Sequence, residues 1–74
     1  MAYMTQKGYD ELVAKLQHME SIDRPAASAA IAEARDKGDL SENAEYDAAK
    51  EHQSKLETEI AMLKKTIIEA KIID

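Results

Sequence analysis

The 74-residue chain contains no cysteine, tryptophan or phenylalanine, one proline and two glycines. Without cysteine there is no disulfide framework and no thiolate zinc site. Long apolar runs are missing too: the longest spans a few residues, so no segment is built to cross a membrane, and the N-terminus lacks a signal-peptide core. Large apolar side chains are scarce, with seven Ile, five Leu, four Met, three Tyr and one Val. Domains shorter than roughly 70–80 residues rarely bury enough surface to be stable without a staple or very regular helix packing. Basic residues are outnumbered 15 to 10, giving a net charge of −5. That balance argues against a broad basic face for duplex nucleic acid and leaves room only for a local contact. What is abundant is Ala, Glu, Lys, Leu and Arg, together 37 of the 74 residues. Half a chain in these five types is the composition of long helices or a coiled coil. The expectation is a soluble, cytoplasmic, helical domain.

Apolar spacing supplies the organisation. Tyr46, Ala49, Gln53, Leu56, Ile60, Leu63, Ile67 and Ala70 alternate in steps of three and four, a heptad seam with one polar interruption at Gln53. Tyr9, Leu12, Leu16 and Met19 keep the same rhythm, and Asp23, Ala27, Ile31 and Ala34 extend it through three successive steps of four. The first seam therefore carries one residue more than a strict heptad. Between the seams lies a turn over residues 36–42, where Gly38 suits the left-handed position that ends a helix. Folding there puts Ala34 level with Tyr46, Ile31 with Ala49, Ala27 with Gln53, Met19 with Ile60, Leu16 with Leu63, Leu12 with Ile67 and Tyr9 with Ala70. In several layers a large residue faces a small one, so the layers can interdigitate. The weak layer sets Asp23 against Leu56, and Ile22 is expected to turn inward to relieve it. The fold class read from this pattern is all-α: an antiparallel two-helix coiled-coil hairpin, monomeric, forming one domain over residues 1–74.

Local signals support the elements. Thr5 is the expected N-cap of the first helix. Glu11/Lys15, Glu33/Lys37 and Glu51/Lys55 are spaced for i,i+4 ion pairs. Pro25 stands inside the first seam, where it removes a helix hydrogen bond and crowds the carbonyl of Ser21. A kink over Ser21–Pro25 is expected to absorb the extra residue. Ile31 and Leu56 are expected to be buried.

Candidate chemistry concentrates at the turn. Asp39 and Glu42, with Glu45 and Asp47 close behind, set paired carboxylates at a solvent-facing apex, which suits Mg²⁺. Asp39-x-x-Glu42 after a glycine also resembles a capping box, the commoner use of such a pair, and the two roles are compatible. Arg35, Lys37 and Lys50 lie near the same apex. They read either as ordinary surface charge or as a small cationic patch for a nucleic-acid backbone. His18 and His52 each adjoin a seam position and should point outward, about 14 Å apart at the helical rise, too far to share a metal. No nucleophile–base pair, phosphate-binding glycine loop or zinc spacing is present.

Arg24-Pro25, Ala30-Ile31-Ala32-Glu33-Ala34-Arg35, the run Gly38-Asp39-Leu40-Ser41-Glu42-Asn43-Ala44-Glu45-Tyr46 and the closing Ile72-Ile73-Asp74 resemble the N-terminal coiled-coil domain of GreA-type bacterial transcript cleavage factors. The resemblance covers nearly the whole chain, and the Gly38–Tyr46 run is its most specific part. It implies a finger that enters the secondary channel of bacterial RNA polymerase. There Asp39 and Glu42 take the catalytic role of helping hold a second Mg²⁺, shared with the polymerase, as backtracked nascent RNA is cut. The physics agrees, since two metals clamp the attacking and leaving oxygens, and a helix of ~32 residues reaches ~48 Å. The resemblance maps a basic patch onto Arg35 and Lys50. Family members continue into an FKBP-like domain that this chain does not contain. Ile72 and Ile73 accordingly read as a strand cut from its sheet, and weak binding of the isolated domain to polymerase is expected.

Three functions compete at this point: an activator of polymerase cleavage that is not itself an enzyme, a channel-binding inhibitor of the same fold, and a plain helical interaction module whose turn acids are only caps. The intact Asp39/Glu42 pair argues against the inhibitor.

Overall fold

The computed structural model describes residues 2–38 and 43–73. In chain order these form β1 (Ala2–Met4), α1 (Gln6–His18), a π-helical turn (Met19–Asp23), α2 (Arg24–Asp36), α3 (Ala44–Glu69) and β2 (Ala70–Ile72). The first three helical segments run on without a break as one arm, and α3 is the other. The molecule measures 55 × 19 × 12 Å, so it is a helical hairpin with almost no thickness beyond two helices. Contacts between the arms climb together from the turn: Lys37 meets Glu45, Arg24 meets Glu57 and Glu20 meets Lys64.

The first arm starts where the sequence predicts. Thr5 is extended, at φ −78° and ψ 164°, and its hydroxyl oxygen accepts from the Gly8 N–H at 3.1 Å. The extra residue of the first seam is housed differently from the expected kink. It sits in the π-helical turn, where the Arg24 N–H donates to the carbonyl of Met19, five residues back. A π-turn is the usual form of a one-residue insertion into an α-helix. It also moves the strain of Pro25 to the first turn of α2, where a missing N–H costs little.

Two further expectations are corrected here. Ile22 does not turn inward; it lies on the outside of the wide turn, 55% exposed. Ile31 is half-buried rather than buried. A two-helix pair has no third layer, so a branched side chain on the seam keeps one flank in water. The enclosed core consists of Met19, Ala27, Leu56 and Ile60, with Leu16 and Leu63 packed against it, and Ala34 is buried separately near the turn. Leu56 is thus buried as expected, and Met19 and Ile60 share a layer.

The all-α expectation also needs amendment. β1 and β2 form a two-stranded parallel sheet with Ala2 opposite Ala70, Tyr3 opposite Lys71 and Met4 opposite Ile72. The Ile73 N–H extends it by donating to the Met4 carbonyl at 2.8 Å. Ile72 and Ile73 therefore have a partner inside this chain, at its own N-terminus. Parallel strands need a long crossover, and here the whole hairpin is that crossover. Three-residue strands are too short to leave a periodic signal in sequence.

Charged side chains stitch the arms on the outside. Arg24 forks onto Glu57, with Nε to Oε2 at 2.9 Å and Nη2 to Oε1 at 2.8 Å. Glu20 lies 3.6 Å from Arg24 Nη1 and 3.1 Å from Lys64 Nζ, so four charges form one chain across the hairpin. The Arg24 hydrogen bond holds the Glu57 carboxyl below its ordinary pKa, and the same bond raises Arg24. Of the three expected i,i+4 pairs, Glu51–Lys55 closes, at 3.4 Å. Among the described residues Glu11/Lys15 and Glu33/Lys37 do not, and Lys37 turns across to Glu45 instead, at 3.0 Å.

Leu56→Ala should cost about 2–4 kcal/mol, read from urea unfolding, as a buried leucine that leaves a cavity. Ile31→Ala should cost about half as much, because its flank is already wet. A depressed carboxyl pKa contributes stability at neutral pH that is lost as pH falls through the folded value. The gap in unfolding midpoint between the wild type and Glu57→Gln should therefore narrow as pH is lowered from about 7 toward 3. A constant gap would mean that the Glu57 charge has no part in it.

Candidate functional site at the interhelical turn

The turn is built by two different devices at its two ends. On the first arm, α2 finishes in tight three-residue bonds: the Lys37 N–H donates to the Ala34 carbonyl at 3.3 Å, and the Gly38 N–H to that of Arg35 at 3.4 Å. Gly38 then takes φ +125°, a conformation that side-chain-bearing residues avoid. A Cβ placed there would meet nothing within 4 Å, so the demand for glycine is conformational and not steric.

On the second arm, Asn43 is the N-cap of α3. Its side-chain oxygen accepts from the Tyr46 N–H at 3.1 Å, and its amide nitrogen donates to the Ala34 carbonyl at 2.6 Å. One side chain thus caps α3 and ties it to the last turn of α2. Glu45 and Asp47 follow in the first turn of α3, where the helix dipole favours negative charge. The connection therefore covers residues 37–43, one residue later than expected. The capping box on Asp39 is corrected: the α3 cap belongs to Asn43. Asp39 and Glu42 themselves lie outside the described residues.

The basic candidates sit around this turn with different freedom. Arg35 is in the last turn of α2, well exposed, its nearest carboxylate among the described residues being Asp36 at 3.9 Å. Lys50, on α3, holds its ammonium 5.6 Å from the centroid of the Tyr46 ring, a cation–π arrangement that keeps it beside the turn. Lys37 is engaged by Glu45, and that hydrogen bond raises its pKa above the ordinary lysine value. Arg35 and Lys50 are consequently better placed than Lys37 to offer charge to another molecule. His18 and His52 point outward as expected, with His18 Nδ1 3.5 Å from Asp23. Among the described residues no group of three or more His, Asp or Glu is placed to hold a metal.

The family of transcription elongation factor N-terminal domains, GreA/GreB type, matches residues 2–72. The chain belongs to that family. Its relatives include transcription elongation factor GreA of Flavobacterium johnsoniae, 54% identical over 74 residues, and that of Christiangramia forsetii, 51% identical over the same length. GreA of Mycoplasma pneumoniae is 46% identical over 72 residues. These alignments cover 97–100% of this chain and 45–47% of the relatives, so it spans about half of their length. It corresponds to the N-terminal domain of GreA.

The roles of three residues of this GreA/GreB-type domain escaped the sequence reading. Asn43 was hidden by the more conspicuous Asp39-x-x-Glu42 spacing, although asparagine caps as well as aspartate. Arg24 and Glu57 lie 33 residues apart, beyond any local pattern. Asn43→Ala should cost about 1–2 kcal/mol in thermal or urea unfolding, through loss of the cap and the cross-turn bond. Asp39→Ala should leave the midpoint within about 0.5 kcal/mol of wild type, the range of ordinary surface changes. The reverse order of effects would restore the cap to Asp39.

Proposed function

We propose that this domain works as an antiparallel coiled-coil finger that enters the secondary channel of bacterial RNA polymerase and stimulates cleavage of backtracked nascent RNA by the polymerase. In this reading the chain is an activator and not itself a nuclease, and it acts in the cytoplasm, where the polymerase is. Among the described residues no helix is long and apolar enough to cross a membrane, which accords with such a partner. Family membership and the narrow 55 Å hairpin support the reading.

The observation that carries it is the cap at Asn43. With α3 capped by Asn43, the turn acids Asp39 and Glu42 are not needed to cap that helix and are open to metal binding. An all-oxygen, carboxylate donor set suits Mg²⁺, which keeps several waters and takes one or two protein carboxylates. Asp39 and Glu42 would hold that ion jointly with the polymerase. Bound there, it would supply charge compensation at phosphate oxygens and a more acidic water. Arg35 and Lys50 orient the RNA backbone beside the turn, with Lys37 a lesser contributor because Glu45 already engages it. Arginine offers a planar fork to phosphate, whereas Lys50 acts as a point charge aimed by Tyr46.

The test is the pair Asp39→Asn with Glu42→Gln in a stalled, backtracked elongation complex. Size and polarity are kept while two negative charges are removed. Stimulated cleavage should fall by at least about a hundredfold, in line with loss of metal-assisted charge stabilisation. Occupancy of the polymerase should persist, so the variant should compete with the wild-type chain. Wild-type cleavage by the double variant would overturn the assignment of the acids.

A further inference from the structure

The hairpin is packed unevenly along its length. At and below the π-turn the arms interlock through Met19, Leu56 and Ile60, flanked by Leu16 and Leu63. Above it, the buried residues of α2 are Ala27 and Ala34, and Ile31 is only half-buried. Alanine is a shallow knob. It lets helices approach closely but gives little steric resistance to sliding or rotation of one helix on the other. The arm segment that carries Arg35 and leads into the turn is therefore the segment whose apolar packing fixes its register least.

Two polar ties bracket that segment. At the outer end Asn43 bonds the Ala34 carbonyl. At the inner end Arg24, the first residue of α2, forks onto Glu57 of α3, and Glu20 of the π-turn is held by both Arg24 and Lys64. A bidentate guanidinium–carboxylate pair constrains direction as well as distance. We propose that Arg24 is a positioning residue: its fork onto Glu57 locks the phase of α2 against α3 at the π-turn and so sets how the turn is presented. The π-turn makes a lock necessary at this point, because a wide turn can migrate or close up and would carry the phase of α2 with it. Exposed ion pairs add little to stability, so this one acts on geometry. Its consequence for cleavage rests on the elongation-factor reading. A displacement of about 1 Å at reacting groups costs rate on the order of a hundredfold.

The lock can be tested without polymerase. The chain has no native cysteine, so Ala30→Cys and Ala48→Cys, both at exposed positions on opposite arms, accept a unique pair of spin labels. In the otherwise wild-type chain the label distance should form one narrow distribution. Arg24→Gln and Glu57→Gln should each broaden it or add a second maximum about 5 Å away, one helical turn. Arg24→Lys, which keeps charge and loses the fork, should fall between. With a backtracked elongation complex, Arg24→Gln should lower cleavage at saturating chain about tenfold while the half-saturating concentration stays unchanged. A narrow, unshifted distribution in both glutamine variants overturns the lock. A broadened distribution with undiminished cleavage at saturation, or with cleavage and occupancy lost equally, overturns the positioning role. Failure of the wild-type chain to stimulate cleavage at full occupancy contradicts the elongation-factor reading alone, and the label distances still judge the lock.

Discussion

The fork between Arg24 and Glu57 sits where a core of large side chains gives way to alanine, and the outer half of the hairpin depends on it. Two helices without a third layer cannot surround their seam, so apolar burial among the described residues is limited to five, two of them alanine. A finger 19 Å by 12 Å in section has to stay that thin if it is to enter a channel. Thinness and a deep core are incompatible. The structure answers with polar ties at chosen points: the Arg24–Glu57 fork, the Glu20–Lys64 pair and the Asn43 link to Ala34. At the base a short parallel sheet gathers both ends of the chain, which closes the hairpin opposite its turn.

Much of this architecture was legible in the sequence, because heptad spacing is a strong signal over a long helix. Leu56, Ile60 and Met19 fell at seam positions and are buried, Thr5 caps the first arm, and Gly38 takes the positive φ that its place at a helix end required. The spacing also revealed one surplus residue in the first arm. It did not reveal the form, since a kink and a π-turn absorb the same surplus and differ only in which carbonyl each N–H selects. The sheet was illegible for a different reason: Tyr3 and Lys71 become neighbours only after the hairpin has closed. Ile31 was placed on the seam by its spacing and Ile22 was turned inward to relieve the Asp23 layer, but a two-helix pair lacks the surface to cover them.

At the turn, sequence reasoning placed the chain reversal to within one residue and misassigned the cap of α3. Asp39 and Glu42 were read as a capping box, as a metal-binding pair, or as both. The cap is Asn43, which separates the two duties. Asn43 and Gly38 shape the turn, Glu45 restrains Lys37, and Tyr46 steadies Lys50. Arg35 remains largely exposed at the end of α2.

We propose that the turn of this hairpin works next to the RNA while its base stays outside the polymerase channel. A short photo-crosslinker placed at Ser41, and separately at Tyr3, in complexes stalled with radiolabelled backtracked RNA tests it most directly. The account predicts crosslinks to the RNA from position 41 and none from position 3. Crosslinks from position 3 alone, or from neither position while the polymerase is fully occupied, would contradict it.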